Sequence, residues 1–437
     1  MVLEFSVRNF RSIRDQIVFS LQAESGQTKA DNTFEVTLPN NQERKLLKSA
    51  VIYGANASGK TNFIRALFAL ISYIKQSTNF SADQPIRYYD PFLFATETEQ
   101  APTEFTIDFL LPEGDIYIRY RYHLVFNREE VILEELDYFP KGQPHNLYTR
   151  NNDSSAGSEA IHTARLSKSL GYKEIPIFRN QLLLSKFGKD IPHELLSNVY
   201  LYFNTIEVWN ALDITRISSL RNEIAEELFL PENASLLARI NKLIQIADTK
   251  IQSITVREPE KIDGDNPERY VRGTPRPGWQ RDQVFAQHAV YSGEKQVSSK
   301  SLSLSEESAG TNVLFALGGI ILKRLAQGGV LFFDELDNSL HPKLSKFLVR
   351  LFNNPISNPR NAQLVVATHE VTLLDKEVFR KDQIWFAEKD ERGATDIFSV
   401  KDFEGVRDDT PFDKWYMNGK FGGQPKLKEI EFIFSHG

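Results

Sequence analysis

The sequence predicts an α/β fold in which two strand-containing lobes are separated by a mainly helical insertion. Apolar residues alternate through much of residues 1–140, recur at helical spacing over residues 176–249, and switch between helical and strand-like runs over residues 313–386. Strands interleaved with helices indicate a mostly parallel sheet in the last third of the chain. We therefore expect an N-terminal lobe at 1–140, a helical insertion or lid at 141–289 and a C-terminal lobe at 290–437.

The composition is that of an ordinary globular protein, because 41% of the 437 residues are hydrophobic and 25% are charged. The 52 basic and 58 acidic residues give a net charge of −6, which excludes a globally basic chain but not a local basic patch. The chain has no cysteine, which excludes disulfides, thiol catalysis and cysteine-ligated metal sites. The longest apolar run, residues 313–322, is shorter than the roughly 20 residues of a membrane span, and the N-terminus lacks the charge order of a secretory signal. We expect a soluble, cytoplasmic protein with no membrane partner.

The N-terminal lobe contains alternating apolar patterns that are typical of strands, and one segment that predicts a strand, a loop and a helix in that order. Leu3, Phe5 and Val7 alternate with polar residues, as do apolar residues over 105–109. The short apolar run at 47–53 leads into a glycine-containing loop, and apolar residues recur at helical spacing beyond it.

The middle of the chain combines helices with polar segments. Two helices are predicted at 214–228 and 235–246, and residues 151–159 (NNDSSAGSE) predict an exposed loop. Residues 258–281 are crowded with Pro, Gly and charge, and their arginines are Arg269, Arg272, Arg276 and Arg281. We interpret this segment as a solvated insertion, with contact to a polyanion or a partner as the alternative.

Residues 54–61 (GANASGKT) match the phosphate-loop pattern G-x-x-x-x-G-K-[ST]. In such a loop the glycines let backbone N–H groups surround phosphates, and the following helix contributes its N-terminal partial charge. Lys60 is expected to reach the β- and γ-phosphates, and the Thr61 hydroxyl to bind Mg²⁺. The residues expected to bind nucleotide here are Gly54, Asn56, Ser58, Gly59, Lys60, Thr61 and Asn62.

Residues 330–335 (VLFFDE) supply the carboxylates that nucleotide hydrolysis requires. Four apolar residues indicate a buried strand, and two acids stand at its carboxyl end, where ligands bind in open α/β sheets. Asp334 is expected to bind the nucleotide through Mg²⁺, and Glu335 to orient or deprotonate the attacking water. Lys60 and Asp334 are 274 residues apart, so a large segment is inserted between the two halves of the site.

Two segments around this strand resemble motifs of the RecF/SMC branch of ABC-type ATPases. Residues 303–311 (SLSEESAGT) precede an apolar helix and resemble a degenerate ABC signature motif. By that resemblance Ser308 and Gly310 contact the γ-phosphate of ATP held by a second subunit; the alternative is a plain helix cap. Residues 364–369 (LVVATH) resemble the switch strand, which would place a catalytic His369 near the γ-phosphate.

Three further segments narrow the resemblance. Residues 5–12 (FSVRNFRS) resemble the opening strand of RecF-like heads, and residues 336–342 (LDNSLHP) resemble a D-loop, which packs across an ATPase dimer. Residues 415–425 (WYMNGKFGGQP) resemble the closing motif of stand-alone ABC-type ATPases called RloA or AbiL-like, although many members carry Arg in place of Lys420. Relatives include the ATPase subunits of the PARIS and Septu phage-defence systems. ABC heads also carry a Q-loop glutamine, for which Gln100 is the nearest candidate.

The resemblance implies an ABC-type P-loop ATPase head that uses ATP and Mg²⁺. It would act as the sensor or scaffold of an anti-phage, abortive-infection system, as a homodimer or higher homo-oligomer formed through its nucleotide sites. A nuclease effector encoded nearby would be the controlled partner, and nucleic acid or a phage protein the trigger. The alternative is a RecF-like DNA-binding ATPase of repair or recombination, with Arg8, Arg11 and Arg14 as candidate DNA contacts. Because the chain has no cysteine, it cannot form the Cys-x-x-Cys zinc hook through which some ABC-type relatives join their long coiled-coil inserts.

Overall fold

The computed structural model describes residues 1–151, 161–167, 170–171, 174–210, 213–247, 250–257, 284–337 and 340–424. The chain divides into two units. The first contains Met1–Asn210, Gln327–Leu336 and Ser345–Gly437, and the second contains Ala211–Ala326 and Asp337–Leu344.

The secondary structure of the described residues consists of strands and α-helices in mixed order. The strands are β1 (Val2–Arg8), β2 (Ile17–Ser20), β3 (Thr33–Leu38), β4 (Gln42–Leu47), β5 (Ser49–Tyr53), β6 (Thr103–Glu113), β7 (Ile116–Phe126), β8 (Val131–Tyr138), β9 (His145–Asn151), β10 (Ile161–Leu166), β11 (Glu174–Phe178), β12 (Ile206–Asn210), β13 (Ile251–Val256), β14 (Val284–Ser292), β15 (Lys295–Ser303), β16 (Val330–Asp334), β17 (Gln363–Thr368), β18 (Ile384–Lys389) and β19 (Thr395–Ser399). The helices are α1 (Lys60–Gln76), α2 (Leu183–Lys189), α3 (Glu194–Phe203), α4 (Ile214–Leu228), α5 (Ala234–Ala247), α6 (Ala309–Gln327), α7 (Pro342–Asn353) and α8 (Phe412–Met417).

The first unit contains an antiparallel sheet in the order β11-β10-β9-β8-β7-β6-β1-β2. Phe5 of β1 lies opposite Phe19 of β2 and Ile107 of β6, and all three side chains are buried. Because side chains alternate between the faces of a strand, the apolar positions recognised in the sequence lie together on the face that packs into the core. The strand-rich N-terminal lobe is confirmed.

The first unit also contains a mostly parallel sheet in the order β12-β16-β17-β5-β18-β19. Only β19 is antiparallel to its neighbour among the pairs in this sheet of the described chain. The phosphate-loop strand β5 and the acid strand β16 both flank β17, so their carboxyl ends point to one edge of the sheet. The predicted α/β fold class, with a strand-rich lobe and a mostly parallel sheet, is confirmed.

Helix α1 is buried in the core that both sheets share. Its apolar side chains recur at helical spacing, and Phe63 contacts Phe5 and Phe19 at ring-centroid distances of 5.6 and 5.5 Å. Phe19 in turn lies 4.8 Å from Trp385 of β18. These aromatic contacts hold the start of α1 against both sheets, and this fixes the position of the loop that precedes it.

The second unit packs α4 and α5 against the apolar helix α6. A Cβ added to Gly318 would lie 2.5 Å from Leu243 of α5, and one added to Gly319 would lie 2.8 Å from Ile224 of α4. The two glycines of α6 therefore allow close helix contact. By length and composition α6 could cross a membrane, but 67% of that window is buried inside the protein, as in a core helix.

The unit boundaries differ from the predicted ones. The described residues of 141–289 contain strands as well as the helices α2 to α5, since β9, β10 and β11 extend the antiparallel sheet and β12 joins the parallel sheet. These short strands are stabilised by pairing with distant neighbours, which local periodicity does not reveal. The two predicted helices are present as α4 and α5. The predicted loops at 151–159 and 258–281 lie, apart from Asn151 in β9, outside the described residues.

Candidate active site

The phosphate loop connects β5 to α1 through two residues with positive φ. Ala57 has φ +65° and Gly59 has φ +106°. A Cβ at Gly59 would lie 2.0 Å from the Thr395 hydroxyl oxygen, so the position accepts only glycine for steric reasons as well as conformational ones. The loop is thus shaped by packing against the start of β19.

Lys60 lies inside this loop. Its side chain is buried, and Nζ donates hydrogen bonds to the carbonyl oxygens of Gly54 at 2.8 Å and Ala55 at 3.0 Å. The ammonium is therefore held where the backbone N–H groups at the start of α1 also converge, which is a favourable place for a polyanion.

Asp334 ends the fully buried strand β16. Its Oδ2 accepts a hydrogen bond of 3.1 Å from Asn210 Nδ2, whereas Oδ1 is buried without a hydrogen-bond partner in the described part of the chain. Burial raises the pKa of this carboxyl group, and the charge of Glu335 raises it further. The approaching Thr61 hydroxyl and the charge of Lys60 partly offset that rise in pKa.

These residues fit a magnesium ion. The unpartnered Asp334 Oδ1 and the Thr61 hydroxyl that faces this carboxylate are oxygen donors, which Mg²⁺ prefers. A divalent cation would also offset the burial of the Asp334 charge.

Glu335 leaves β16 with φ +58°, a conformation that costs a non-glycine residue energy. Its backbone N–H donates a hydrogen bond of 2.8 Å to Ala367 O, next to the end of β17. The sharp turn directs a half-buried carboxylate towards the same edge as His369, which is exposed just after β17. Strain of this kind clusters at functional sites.

An open cleft of about 370 Å³ brings most of the predicted residues together. It is lined by Asn56, Ala57, Ser58, Gly59, Lys60, Thr61, Asn62, Glu335, His369 and Lys389. Gly54 is buried at the start of the loop, and a Cβ there would lie 2.5 Å from Ala387 O. Asp334 is buried and interacts with Thr61 and Lys60, which line the cleft.

A hydrogen-bond network holds the phosphate loop from the N-terminal side. Asn62 Oδ1 accepts from Arg11 Nε at 2.9 Å, and Asn62 Nδ2 donates to Ser12 Oγ at 2.7 Å. Ser12 Oγ lies 2.8 Å from Thr395 Oγ1, which donates to Ser58 O at 3.1 Å. The amide of Asn62, predicted to bind nucleotide, is therefore used to hold the segment that resembles the opening strand of RecF-like heads.

The C-terminal segment supports the phosphate loop from the face of β18 that lies opposite α1. The Tyr416 ring of α8 stacks on Phe386 at 5.2 Å, and its hydroxyl donates to Gly423 O at 3.1 Å. Gly423 O also accepts from Ala55 N at 3.1 Å, and Gly423 N donates to Glu388 Oε2 at 3.2 Å. The segment that resembles a closing motif is thus part of the phosphate-loop support.

Comparison with known families agrees with this site. The model of the family described as "AAA domain, putative AbiEii toxin, Type IV TA system" matches residues 49–375, a span that begins at β5 and ends after His369. The chain belongs to this AAA-domain family. Among curated proteins, no sequence matches significantly.

Two solved structures are similar to this AAA-domain chain. One is an SMC head bound to the C-winged helix domain of ScpA, with 14% identity and a TM-score of 0.43; the match covers 91% of this chain and 97% of the other. The second is an SMC head domain with an extended coiled coil bound to the C-terminal domain of ScpA, derived from Pyrococcus furiosus. Its identity is 13%, its TM-score is 0.40, and the match covers 92% of this chain and 96% of the other.

Three residues at or near the cleft were not identified from the sequence. Asn210 pairs with Asp334, Thr395 limits Gly59, and Lys389 lines the cleft. Asn210 ends a short strand that is parallel to β16, so the amide position could be found only once the pairing of the strands was known. Gln100, the candidate for the Q-loop glutamine, is exposed in a turn and does not line the cleft.

The signature-like residues belong to the second unit. Ser308 is exposed and caps α6, because its Oγ accepts a hydrogen bond of 3.1 Å from Thr311 N. Asn312 holds the preceding turn by donating to Leu304 O at 2.7 Å and Glu307 O at 3.2 Å. Gly310 lies in the first turn of α6, one residue after the helix begins. Residues 338–339 of the D-loop-like segment lie outside the described residues.

Proposed function

We propose that the protein binds and hydrolyses MgATP in this cleft, and that ATP-dependent dimerisation controls a nuclease effector in an anti-phage, abortive-infection system in the cytoplasm. The observation that supports ATP chemistry is the convergence of Lys60, Thr61, Glu335 and His369 on one cleft at the carboxyl edge of a mostly parallel sheet.

The residues of the cleft have separable roles in this proposal. The loop N–H groups and Lys60 bind the phosphates, while Thr61 and Asp334 hold Mg²⁺. Bound Mg²⁺ supplies positive charge that neutralises the β- and γ-phosphates. Glu335 orients the attacking water and accepts its proton, and His369 donates a hydrogen bond to the γ-phosphate.

Dimerisation would complete each site with the signature-like segment of the partner. The exposed Ser308 hydroxyl and the N–H groups at the start of α6 offer donors to an anion. In a twofold dimer each subunit uses the same two surfaces, so two ATP molecules would be enclosed and the assembly would be closed.

The decisive experiment compares Glu335→Gln with the wild-type protein. We expect Glu335→Gln to bind ATP and form a stable dimer by light scattering while ATP hydrolysis falls by about 100-fold or more. Lys60→Ala should abolish binding and dimer formation. Glu391→Gln, at an exposed position, is the matched control and should behave like wild type. If Glu335→Gln stays monomeric and binds no nucleotide, the proposal fails.

The defence role is supported by the family description, which names a putative AbiEii toxin and a type IV TA system. Cells that carry the gene with its neighbours should restrict phage plaques, and Lys60→Ala should remove that protection. Deletion of an adjacent nuclease-like gene should remove it too. Protection that survives both changes would contradict control of an effector by ATP.

The DNA-repair alternative gains no support from the N-terminal arginines. Arg8 pairs with Glu104 at 2.6 Å, Arg11 with Asp90 at 2.8 Å, and Arg14 with Asp15 at 2.8 Å. These carboxylates reduce the positive charge available to a phosphate backbone. The arginines of the 258–281 segment lie outside the described residues.

A further inference from the structure

Lys389 stands at the end of β18, beside the phosphate loop. The strands β18 and β5 are parallel, and Phe386 lies opposite Tyr53, the last residue of β5. Lys389 is three residues further along, so it extends past the end of β5 at the level of the loop. It is half-buried and lines the same cleft as Lys60 and Thr61.

The alternation of β18 places this side chain on the face that carries α1. Trp385 and Ala387 belong to the buried core that includes Phe63 of α1. Phe386 faces Tyr416, and Glu388 faces Gly423, on the opposite side of the sheet. Because side chains two residues apart share a face, Lys389 continues the α1 side, where the phosphate loop enters its helix.

No described carboxylate forms an ion pair with Lys389. Glu388 accepts from the backbone of Gly423, and Asp390 accepts from the backbone N–H groups of Arg392 and Ala394. Lys389 itself makes no ion pair or side-chain hydrogen bond with a described residue. Its ammonium thus has its donors available for an anion in the cleft.

The position of β18 in the sheet indicates which phosphates of a nucleotide Lys389 would contact. The carboxylates and His369 come from β16 and β17, on one side of β5, and Lys389 comes from the other side. In the proposed function the metal and the terminal phosphate lie on the first side, with the carboxylates and His369. We propose that Lys389 binds the α- and β-phosphates, which ATP and ADP share, as a second lysine opposite the metal side. This inference rests on the proposed function.

The test measures the affinities of ATP and ADP by calorimetry for wild type, Lys389→Gln and Lys389→Arg. We expect Lys389→Gln to weaken both nucleotides by about tenfold, since it removes charge-assisted hydrogen bonds. Lys389→Arg should restore most of the affinity because it keeps the charge. Lys414→Gln removes one exposed charge on α8 and is the matched control, with unchanged affinities.

Two outcomes would overturn the inference. Unchanged affinity of Lys389→Gln for both nucleotides would show that the ammonium does not bind them. Weakening of ATP alone would place Lys389 at the γ-phosphate instead. Failure of the proposed function would look different, because wild type itself would then bind neither nucleotide and Lys60→Ala would change nothing.

Discussion

The backbone N–H of Ala55 donates a hydrogen bond of 3.1 Å to the carbonyl oxygen of Gly423, 368 residues later in the chain. Gly423 is held in turn by the Tyr416 hydroxyl and by the Glu388 carboxylate. The first turn of the phosphate loop therefore rests on the C-terminal segment. A substitution in that segment should therefore change nucleotide affinity even when the residues that touch the nucleotide are unchanged.

Glu388→Ala tests this support. The substitution removes the acceptor of the Gly423 N–H, so the C-terminal turn should loosen and the loop should lose part of its preorganised shape. We expect ATP affinity to fall by roughly 3- to 10-fold, the equivalent of about one net hydrogen bond. Calorimetry measures the change, and the exposed Glu391→Ala is the control. Wild-type affinity in Glu388→Ala would show that the loop does not need this support.

Gly59→Ala should have a larger effect than its backbone angle alone predicts. A left-handed φ costs a non-glycine residue about 1–2 kcal/mol, and here the added methyl group would also collide with Thr395 at 2.0 Å. We expect loss of measurable ATP binding together with a lower Tm. Nucleotide titration and thermal unfolding record the two effects.

Gly114→Ala separates the cost of a left-handed φ from the cost of the contact with Thr395. Gly114 has φ +61° in the turn between β6 and β7, and a Cβ there would meet no atom of the described residues within 4 Å. It should lower the free energy of unfolding by about 1 kcal/mol and leave ATP affinity unchanged. Equal losses of ATP binding in both variants would mean that contact with Thr395 is unimportant.

Asn210→Ala should weaken the metal site. The amide of Asn210 orients Asp334 through a hydrogen bond of 3.1 Å, and loss of such an outer partner typically costs about tenfold in metal affinity. The Mg²⁺ concentration needed for half-maximal ATP binding should rise accordingly. Asn204→Ala, at an exposed position, is the control. An unchanged Mg²⁺ requirement would exclude a positioning role for Asn210.

Asp334→Asn should alter the pH dependence of stability in metal-free buffer. Burial raises the pKa of Asp334 in the folded state above its ordinary value of 3.8. Between the ordinary pKa and the raised one, the folded state therefore binds more protons than the unfolded state. The contribution of Asp334 to the free energy of unfolding therefore decreases as pH rises through its raised pKa. Urea unfolding across this range should show Asp334→Asn gaining stability relative to wild type as pH increases. A difference in the free energy of unfolding between the two proteins that does not change with pH would contradict the raised pKa of Asp334.

Local patterns predicted the parts of this protein that depend on nearby residues. The phosphate loop is contiguous, and α4 was predicted at the same bounds because its helical periodicity is strong. The strands β9, β10 and β11 were missed because short strands depend on pairing rather than on their own periodicity. For the same reason the insertion was expected to begin near residue 141, whereas the second unit begins at Ala211.

The contiguous motifs were enough to predict the chemistry of the phosphate loop and of the acid strand β16, since each motif places its groups through a few neighbouring residues. The contacts of Asn210 with Asp334, of Thr395 with Gly59 and of Gly423 with Ala55 could be known only from the folded chain. Each of these pairs joins residues more than 120 positions apart, and strand order and packing, not local pattern, bring them together.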